Sequence, residues 1–225
     1  MNLALPKEEA RGKRKSWVNI PIVFEDDWLL VVNKPAGLLS VPTPKHESRT
    51  LTGILNQDAQ ARGLKYRLHP CHRLDRETSG LLIYAKGKSI EQKLIGAFRD
   101  RLVGKKYIAF VHGKLPQPQG MISSAIEGKS ALTKYRVIQE KSNYSVVEIS
   151  PVTGRTNQIR IHFKNIQHPL VGEDKFAYRK DFALRFKRVC LEAKELNFKH
   201  PITGKDINIS IDLAPELKDF LLKHD

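Results

Sequence analysis

The sequence predicts an α+β fold built on a mixed, largely antiparallel sheet with flanking helices. Strand-like segments clearly outnumber helical ones, and several are joined by short turns that are typical of hairpins. With 225 residues, the chain is long enough for one sizeable domain whose core needs no disulfide or metal. We therefore expect one domain over residues 17–225, preceded by a basic arm over residues 1–16.

Eight strands are predicted where short apolar and β-branched segments are bounded by turn residues, at 18–24, 28–32, 80–85, 107–111, 132–138, 144–150, 190–198 and 207–211. The acidic turn 25–27 separates the first two strands. Pro35 and Gly37 end the second, because proline has no amide hydrogen and glycine tolerates positive φ. Residues 140–143 join the fifth and sixth strands into a hairpin, and the turn 201–204 separates the last two.

Four helices are predicted from helical spacing of apolar side chains, at 49–62, 89–103, 159–166 and 215–222. Gly63 is the expected stop of the first helix. Ser89 and Gln92 form a capping box that is expected to begin the second, and Gly104 is expected to end it.

The charge balance favours a polyanionic partner. Lys and Arg number 39 against 24 Asp and Glu, which gives a net charge of +15 and a pI near 9.8. Such an excess of cations commonly serves nucleic acid binding. No apolar run has the length of a membrane span, and no lysine-rich amphipathic helix suits a lipid surface. The basic arm over 1–16 either touches phosphates or is simply a solvated terminus.

Cysteine usage and the N-terminal residues indicate a cytoplasmic protein. Cys71 and Cys190 are far apart and have no CxxC spacing, so we expect free thiols in a reducing compartment. The first residues lack the apolar core of a secretion signal. The segment HPCH at 69–72 has no second Cys/His cluster to complete a zinc site, and we expect no metal.

The most informative segment is 72–80, which reads HRLDRETSG and leads directly into a strand. It sets Asp75 between Arg73 and Arg76. Nearby cations lower the pKa of a carboxylate by roughly 1–3 units and so keep it ionised, as a nucleophile must be. A turn in which Asp75 bonds to the backbone near Thr78 is the commoner outcome of this spacing and involves no chemistry.

The segment resembles the signature of the RluA-type RNA pseudouridine synthases, in which the aspartate is the catalytic nucleophile. Three further segments resemble motifs of that family in the same order: KPAG at 34–37, GKKYIA at 104–109 and GRTNQIR at 154–160. The resemblance extends from residue 17 to residue 222. It implies the pseudouridine-synthase catalytic fold with a central basic cleft, and residues 1–16 are too few for a preceding S4 domain.

The resemblance also implies roles for individual residues. Asp75 would act on the target nucleotide, at either the base or the sugar. Tyr107 would contact the base and take part in proton transfer, although a strand tyrosine is more often simply half-buried. Arg160 would pair with Asp75, although an arginine of a basic protein is more often a phosphate contact. Arg73 would help to hold the RNA open around the target.

Further RNA contacts are expected from four residues of the same segments, Lys34, Arg76, Arg155 and Asn157. Two positions depart from the family pattern. Asn157 stands where the family usually has His, so a role specific to that histidine does not carry over, and the amide can still bond to backbone or phosphate. Glu192 stands in LEA where relatives typically have LHA, which predicts altered contacts around the site rather than lost catalysis.

The sequence therefore predicts an isomerase that converts specific uridines of structured RNA, in large-subunit rRNA and/or tRNA stem-loops, to pseudouridine. No cofactor is expected, because the reaction changes neither oxidation state nor composition. RNA is the expected partner, without membrane or metal, and the expected state is a monomer. One rival is a catalytically silent RNA-binding or ribosome-assembly protein on the same scaffold. A second rival is a nucleic-acid hydrolase, which needs several acidic metal ligands in a cleft.

Overall fold

A computed structural model describes residues 20–43, 49–177, 182 and 184–224. The strands of these ranges are β1 (Ile22–Glu25), β2 (Leu29–Lys34), β3 (Leu68–Pro70), β4 (Ser79–Lys86), β5 (Gly104–His112), β6 (Gln119–Ser123), β7 (Leu132–Glu140), β8 (Tyr144–Pro151), β9 (Leu191–Lys199) and β10 (Asp206–Ser210). The helices are α1 (Leu51–Ala61), α2 (Lys88–Arg99), α3 (Gln158–Asn165) and α4 (Pro215–Lys223). The predicted arm at 1–16 and the first residues of the predicted domain and strand, 17–19, lie outside the described residues.

The ten described strands form one mixed sheet. Eight of them follow the order β1-β2-β4-β9-β5-β8-β7-β6, while β3 pairs with β4 and β10 pairs with β9. Among these strands β4 and β9 run parallel, and the other strand pairs are antiparallel. The predicted α+β class with a mixed, mostly antiparallel sheet is confirmed.

β9 lies between β4 and β5 although it follows both by about 80 residues or more in the sequence. Its parallel contact with β4 consists of two residue pairs, Ser79 with Glu192 and Gly80 with Ala193. We call this contact the seam, because it joins the strands of the N-terminal half, β1 to β4, to those of the C-terminal half. The seam comes directly after the 72–78 loop and therefore fixes where that loop lies.

Side chains of the central strands are buried on both faces of the sheet, as the period-two alternation of a strand requires. On one face, Leu82 and Tyr84 of β4 join a core that includes residues of α1 and α3. On the other face, Leu81 and Ile83 pack with α2, and Phe110 of β5 packs with α4. Within the described ranges, no helix is both long and apolar enough to cross a membrane.

Several sequence predictions of local structure are confirmed. The β7–β8 hairpin and the β9–β10 pair form as predicted, and Gly63 follows α1 with a φ of 72°. Two short strands were not predicted: β3 has three residues, and β6 lies next to a segment rich in turn residues. Both are short partners of longer strands, so their own sequences carry little periodicity.

The start of α2 differs from the prediction. The N-cap residue is Gly87, and no side chain hydrogen-bonds to the cap. The predicted capping box of Ser89 and Gln92 is therefore wrong, because α2 already begins at Lys88. The first turn of α2 follows the end of β4 after one residue, Gly87, which takes a φ of 109°.

The end of α2 also differs from the prediction. The helix stops at Arg99 because Arg101 takes a left-handed φ of 60°, and the amide of Leu102 then donates to the carbonyl of Ala97 at 2.9 Å. Such a position usually belongs to glycine, and a non-glycine residue there is mildly strained. The predicted stop at Gly104 is wrong, since Gly104 begins β5.

Gly80 at the seam has no room for a side chain. Its φ is 113°, and a Cβ atom there would lie 2.2 Å from the backbone oxygen of Ala193. We expect Gly80→Ala to force β4 and β9 apart and to lower the free energy of unfolding by on the order of 3 kcal/mol or more. Urea unfolding measures the loss. The matched control is Gly96→Ala in α2, which meets no atom within 4 Å and should stabilise the protein by about 0.5–1 kcal/mol. Equal effects of the two substitutions would contradict this account.

Candidate active site

A cleft of about 550 Å³ opens beside the seam. It is bounded by the 72–78 loop, the end of α2, the start of β5 and the loop 151–157 that precedes α3. Five residues singled out from the sequence line it together, namely Asp75, Tyr107, Arg73, Arg155 and Asn157. These residues come from three separate segments of the chain, so the fold brings the segments to one place.

The charge of the cleft is strongly asymmetric. Of the described residues that line it, Asp75 is acidic and five are basic, Arg73, Arg99, Arg101, Lys105 and Arg155. A concave surface with this balance concentrates positive potential around a single carboxylate. It is therefore suited to a polyanion whose reacting group must come close to Asp75.

Asp75 opens a tight turn, but its carboxylate does not take part in the turn. The amide of Thr78 donates to the backbone carbonyl of Asp75 at 3.2 Å, which closes the turn through main-chain atoms. No residue in the described part of the chain hydrogen-bonds to the Asp75 carboxylate. The turn expected from the sequence is therefore present, but the Asp75 side chain does not cap it, and the carboxylate remains available.

The pKa of Asp75 is raised, not lowered. Burial raises it and outweighs the cations that lower it, of which Arg160 and Arg73 have the largest effects. The expectation that neighbouring arginines would lower this pKa is therefore wrong in its net direction, because desolvation disfavours the charged form more than the cations favour it. An ionised Asp75 in this environment is poorly solvated and correspondingly reactive.

Tyr107 lies on β5 at an irregularity in the pairing with β9. The register shifts between Lys106 and Tyr107, and such bulges often re-aim side chains next to functional sites. The residue is 9% exposed and lines the cleft. Burial raises the pKa of its hydroxyl and Asp75 adds to that rise, so Tyr107 is protonated at neutral pH.

Arg160 lies in the first turn of α3 and is buried. Its Nε and Nη2 donate to the two carboxylate oxygens of Glu173 at 2.6 and 2.7 Å, and its Nη1 donates to Oδ1 of Asn157 at 3.1 Å. The predicted pairing of Arg160 with Asp75 is corrected in one respect: the direct partner is Glu173. The charge of Arg160 still acts on Asp75, because it lowers the pKa of that carboxyl group.

Glu173 was not identified from the sequence. Burial alone would raise the pKa of its carboxyl group, but the hydrogen bonds from Arg160 hold the pKa below its usual value. The amides of Lys175 and Phe176 also donate to Oε1, at 2.8 and 3.2 Å. All these contacts depend on how the 168–176 segment folds back onto α3, so the sequence pattern carries no signal for them.

The loop before α3 is rigidly held. Asn157 has a left-handed φ of 55°, a conformation that asparagine tolerates better than most residues. The Oε1 atom of the buried Gln158 accepts from the Thr153 hydroxyl at 2.6 Å and from the Arg155 amide at 3.0 Å. Its Nε2 donates to two oxygens of β7, both at 3.0 Å. The loop is therefore preorganised before a ligand arrives.

Lys34 is fully buried, and the prediction that it contacts RNA is corrected. Its Nζ donates to the backbone carbonyls of Pro35, Leu38 and Arg76, at 2.9, 2.7 and 3.1 Å. An ammonium group has three donors, so these three carbonyls use all of them. Burial lowers the pKa of Lys34 to about 7. The residue ties the 35–38 turn to the loop that carries Asp75.

The three arginines among the other candidate RNA contacts are exposed, whereas Asn157 is half-buried. Arg73 donates from Nη2 to the Thr156 hydroxyl at 3.3 Å, and Arg155 donates from Nε to the carbonyl of Ser130 at 3.1 Å. Arg76 is also exposed, but it is not among the residues that line the cleft. Arg73 and Arg155 can therefore reach a ligand in the cleft, whereas Arg76 lies outside the cleft lining.

The end of α2 supplies a wall of the cleft that was not identified from the sequence. Phe98, Arg99 and Arg101 line it, together with Lys105 at the start of β5. A signal was present, because four of the eight residues at 99–106 are basic. Among the described residues, no group of three or more His, Cys, Asp or Glu side chains is arranged to hold a metal ion.

Known proteins similar to this chain share one description. A family model described as RNA pseudouridylate synthase matches residues 28–165. The chain is 34% identical to the dual-specificity RNA pseudouridine synthase RluA of Vibrio cholerae, over 96% of this chain and 92% of that protein. It is 32% identical to an uncharacterized RNA pseudouridine synthase of Bacillus subtilis, YlyB, over 98% of this chain and 78% of that protein. It is also 33% identical to the ribosomal large subunit pseudouridine synthase D of Zymomonas mobilis, over 89% of this chain and 71% of that protein.

Solved structures give the same picture of the fold. Human RNA pseudouridylate synthase domain containing 1 superimposes with a TM-score of 0.72 at 27% identity, covering 92% of this chain and 89% of that one. Human RNA pseudouridylate synthase domain containing 4 superimposes with a TM-score of 0.74 at 24% identity, covering 90% of this chain and 92% of that one. The second similarity is evidence of fold alone.

Proposed function

Because this chain belongs to the RNA pseudouridylate synthase family, in its RluA-type branch, we propose that it isomerises specific uridines of large-subunit rRNA and/or tRNA stem-loops with Asp75 as nucleophile. The family resemblance and the catalytic fold predicted from the sequence are confirmed. The enzyme is an isomerase that converts uridine in RNA to pseudouridine.

One observation carries the assignment of Asp75. It is the acidic residue among the described lining of a cleft that otherwise holds five cations, and its carboxylate is not used in the surrounding turn. In the proposed reaction Asp75 attacks the target nucleotide, at the base or the sugar. The N-glycosidic bond breaks, the uracil rotates, and C5 forms the new bond to the sugar. The proton on C5 is then lost and Asp75 is released.

Two further residues have proposed roles. Tyr107 packs against the flipped uracil, and its position beside Asp75 supports a part in handling the C5 proton. Arg160 influences Asp75 through its charge. Its guanidinium is hydrogen-bonded to Glu173, and from that position it favours the ionised form of the Asp75 carboxyl group.

The proposed substrate class has two supports. The similar proteins named above include a dual-specificity enzyme and a large-subunit ribosomal enzyme. Proteins read RNA sequence mainly in unpaired loops, and flipping a base out costs least where pairing is weak. The five basic residues of the cleft would hold phosphates around the flipped nucleotide.

We also propose that the enzyme acts as a monomer in the cytoplasm. Cys71 and Cys190 are both free and buried, which suits a reducing compartment. Sedimentation of the purified protein with and without RNA measures the oligomeric state.

The activity is tested with cellular RNA tritiated at C5 of uridine. We expect the wild-type protein to release tritium without added metal and without strand scission, because C5 must lose its proton when it bonds to the sugar. Heat-denatured protein is the control. RNA binding without tritium release would favour a silent RNA-binding protein, and magnesium-stimulated scission would favour a hydrolase. Mapping pseudouridines in RNA from cells that lack the protein then identifies the target.

A further inference from the structure

His72 takes the place of a strand residue at the edge of the cleft. β3 ends at Pro70, and the amide of Cys71 still donates to the carbonyl of Ile83 at 2.9 Å. The amide of Ile83 then donates to Nε2 of the His72 ring at 3.1 Å, where a continuing β3 would have offered a backbone carbonyl. The imidazole is therefore fixed by a hydrogen bond from the sheet.

This hydrogen bond determines the tautomer of His72. Nε2 accepts, so it carries no hydrogen, and a neutral ring must then carry its hydrogen on Nδ1. Burial lowers the pKa of His72 to about 3, and Lys105 adds to the decrease, so the ring is neutral at physiological pH. Nδ1 has no hydrogen-bond partner among the described residues, and His72 is a half-buried part of the cleft lining. His72 thus offers one neutral, oriented donor.

A cation lies near this donor. The rings of His72 and Phe98 have their centroids 4.8 Å apart, and Nζ of Lys105 is 5.7 Å from the centroid of the same Phe98 ring. Lys105 comes two residues before Tyr107 on β5, and both residues line the cleft. The imidazole of His72 and the ammonium group of Lys105 therefore both lie against the Phe98 ring, and Lys105 is near enough for its charge to act on His72.

We propose that the Nδ1–H of His72 and the ammonium group of Lys105 together bind one backbone phosphate of the RNA. This inference rests on the proposed function and adds a subsite to it. A phosphate suits this pair because it carries a negative charge for Lys105 and several acceptor oxygens, one of which can take the directed hydrogen bond. The lysine supplies the attraction, and the histidine fixes the position of the phosphate.

Two substitutions at His72 separate its two hydrogen bonds. His72→Gln places an amide oxygen near the Nε2 position, where it can still accept from Ile83, but lacks the donor at Nδ1. His72→Asn places an amide nitrogen near the Nδ1 position and lacks the acceptor for Ile83. We expect His72→Gln to unfold at the urea concentration of the wild type and to show a KM for RNA about tenfold higher in the tritium assay. His72→Asn should unfold at lower urea but raise the KM less than His72→Gln does, because it keeps a donor near the Nδ1 position.

Salt dependence distinguishes the neutral donor from the cation. For single-stranded RNA, each phosphate contact by a cation contributes about 0.7 to the slope of log affinity against log salt concentration. We expect Lys105→Met to reduce the slope by about that amount and His72→Gln to leave it unchanged. The double variant, His72→Gln with Lys105→Met, tests whether one phosphate is shared: its loss of affinity should be smaller than the product of the two single losses.

Several outcomes would overturn the inference. Parallel losses of stability and RNA affinity in both His72 variants would show a structural role alone, and two unaffected affinities would show no contact. Strictly multiplicative losses in the double variant would place the two residues on different RNA groups. If the wild-type protein neither binds nor modifies RNA, the proposed function fails and this inference with it. An active wild type with an unaffected His72→Gln overturns the inference alone.

Discussion

Asp75→Asn is expected to abolish turnover and, at the same time, to stabilise the folded protein at pH 7. Loss of a covalent nucleophile should lower the rate of tritium release by on the order of 10⁴-fold or more. The stabilisation follows from the raised pKa of Asp75, because the folded protein holds the ionised carboxylate less favourably than the unfolded chain does. Tritium release and urea unfolding of the same preparations measure the two effects.

The stabilisation depends on pH in a defined direction. A carboxyl group whose pKa is raised in the folded state contributes stability below its unfolded pKa, near 3.8, and loses that contribution as the pH rises through the folded value. The advantage of Asp75→Asn should therefore be absent below about pH 3.8 and grow as the pH rises above that value. Asp58→Asn on α1 is the control, because Asp58 is about half exposed and lies outside the cleft lining. Substantial turnover by Asp75→Asn would remove Asp75 from the mechanism.

Arg160→Met is expected to destabilise the protein by about 3–5 kcal/mol, because it leaves Glu173 buried without its partner. The side chains of Arg160 and Glu173 are only 7% and 1% exposed, so water cannot replace the lost contacts. Urea unfolding at pH 7 measures the loss. Lys199→Met is the control: the Lys199–Asp206 pair is 75% and 71% exposed, and breaking it should change stability by less than about 1 kcal/mol.

A double variant separates stability from catalysis at this pair. Arg160→Met combined with Glu173→Leu removes both buried charges and should recover most of the stability lost in the single variant. Tritium release should remain low, because Asp75 has lost the cation that most strongly favours its ionised form. Recovery of activity along with stability would show that Arg160 serves the fold alone.

The sequence predicted eight of the ten described strands, because strands depend on local patterns. Period-two alternation identifies β7 and β8, and the family resemblance singled out Asp75, Tyr107 and Asn157, which line one cleft. The sequence could not predict that burial outweighs the neighbouring cations at Asp75, since chain neighbours reveal charges but not solvent exposure. The role of Glu173 was hidden for a similar reason, because its contacts form only in the folded chain.

The errors at α2 have a different cause. Ser89 with Gln92 and Gly104 are good helix signals in isolation, but tertiary structure overrode them. The sheet fixes the end of β4, and α2 therefore begins at Lys88, one residue before the predicted cap. At the other end, Arg101 accepts a left-handed conformation that composition alone would assign to glycine. This strained residue lines the cleft, which agrees with the tendency of strain to concentrate at functional sites.

The position of β9 has a consequence for how the enzyme is made. A nascent chain that has emerged only to residue 190 already contains Asp75, Tyr107 and Arg160, yet β4 and β5 have no common neighbour until β9 inserts between them. Until translation reaches that strand, Ser79 and Gly80 of β4 and the first residues of β5 remain open to pairing with other polypeptides, a state that chaperones commonly protect. We therefore expect a chain that ends before β9 to lack the strand that joins the two halves of the sheet, and to be inactive.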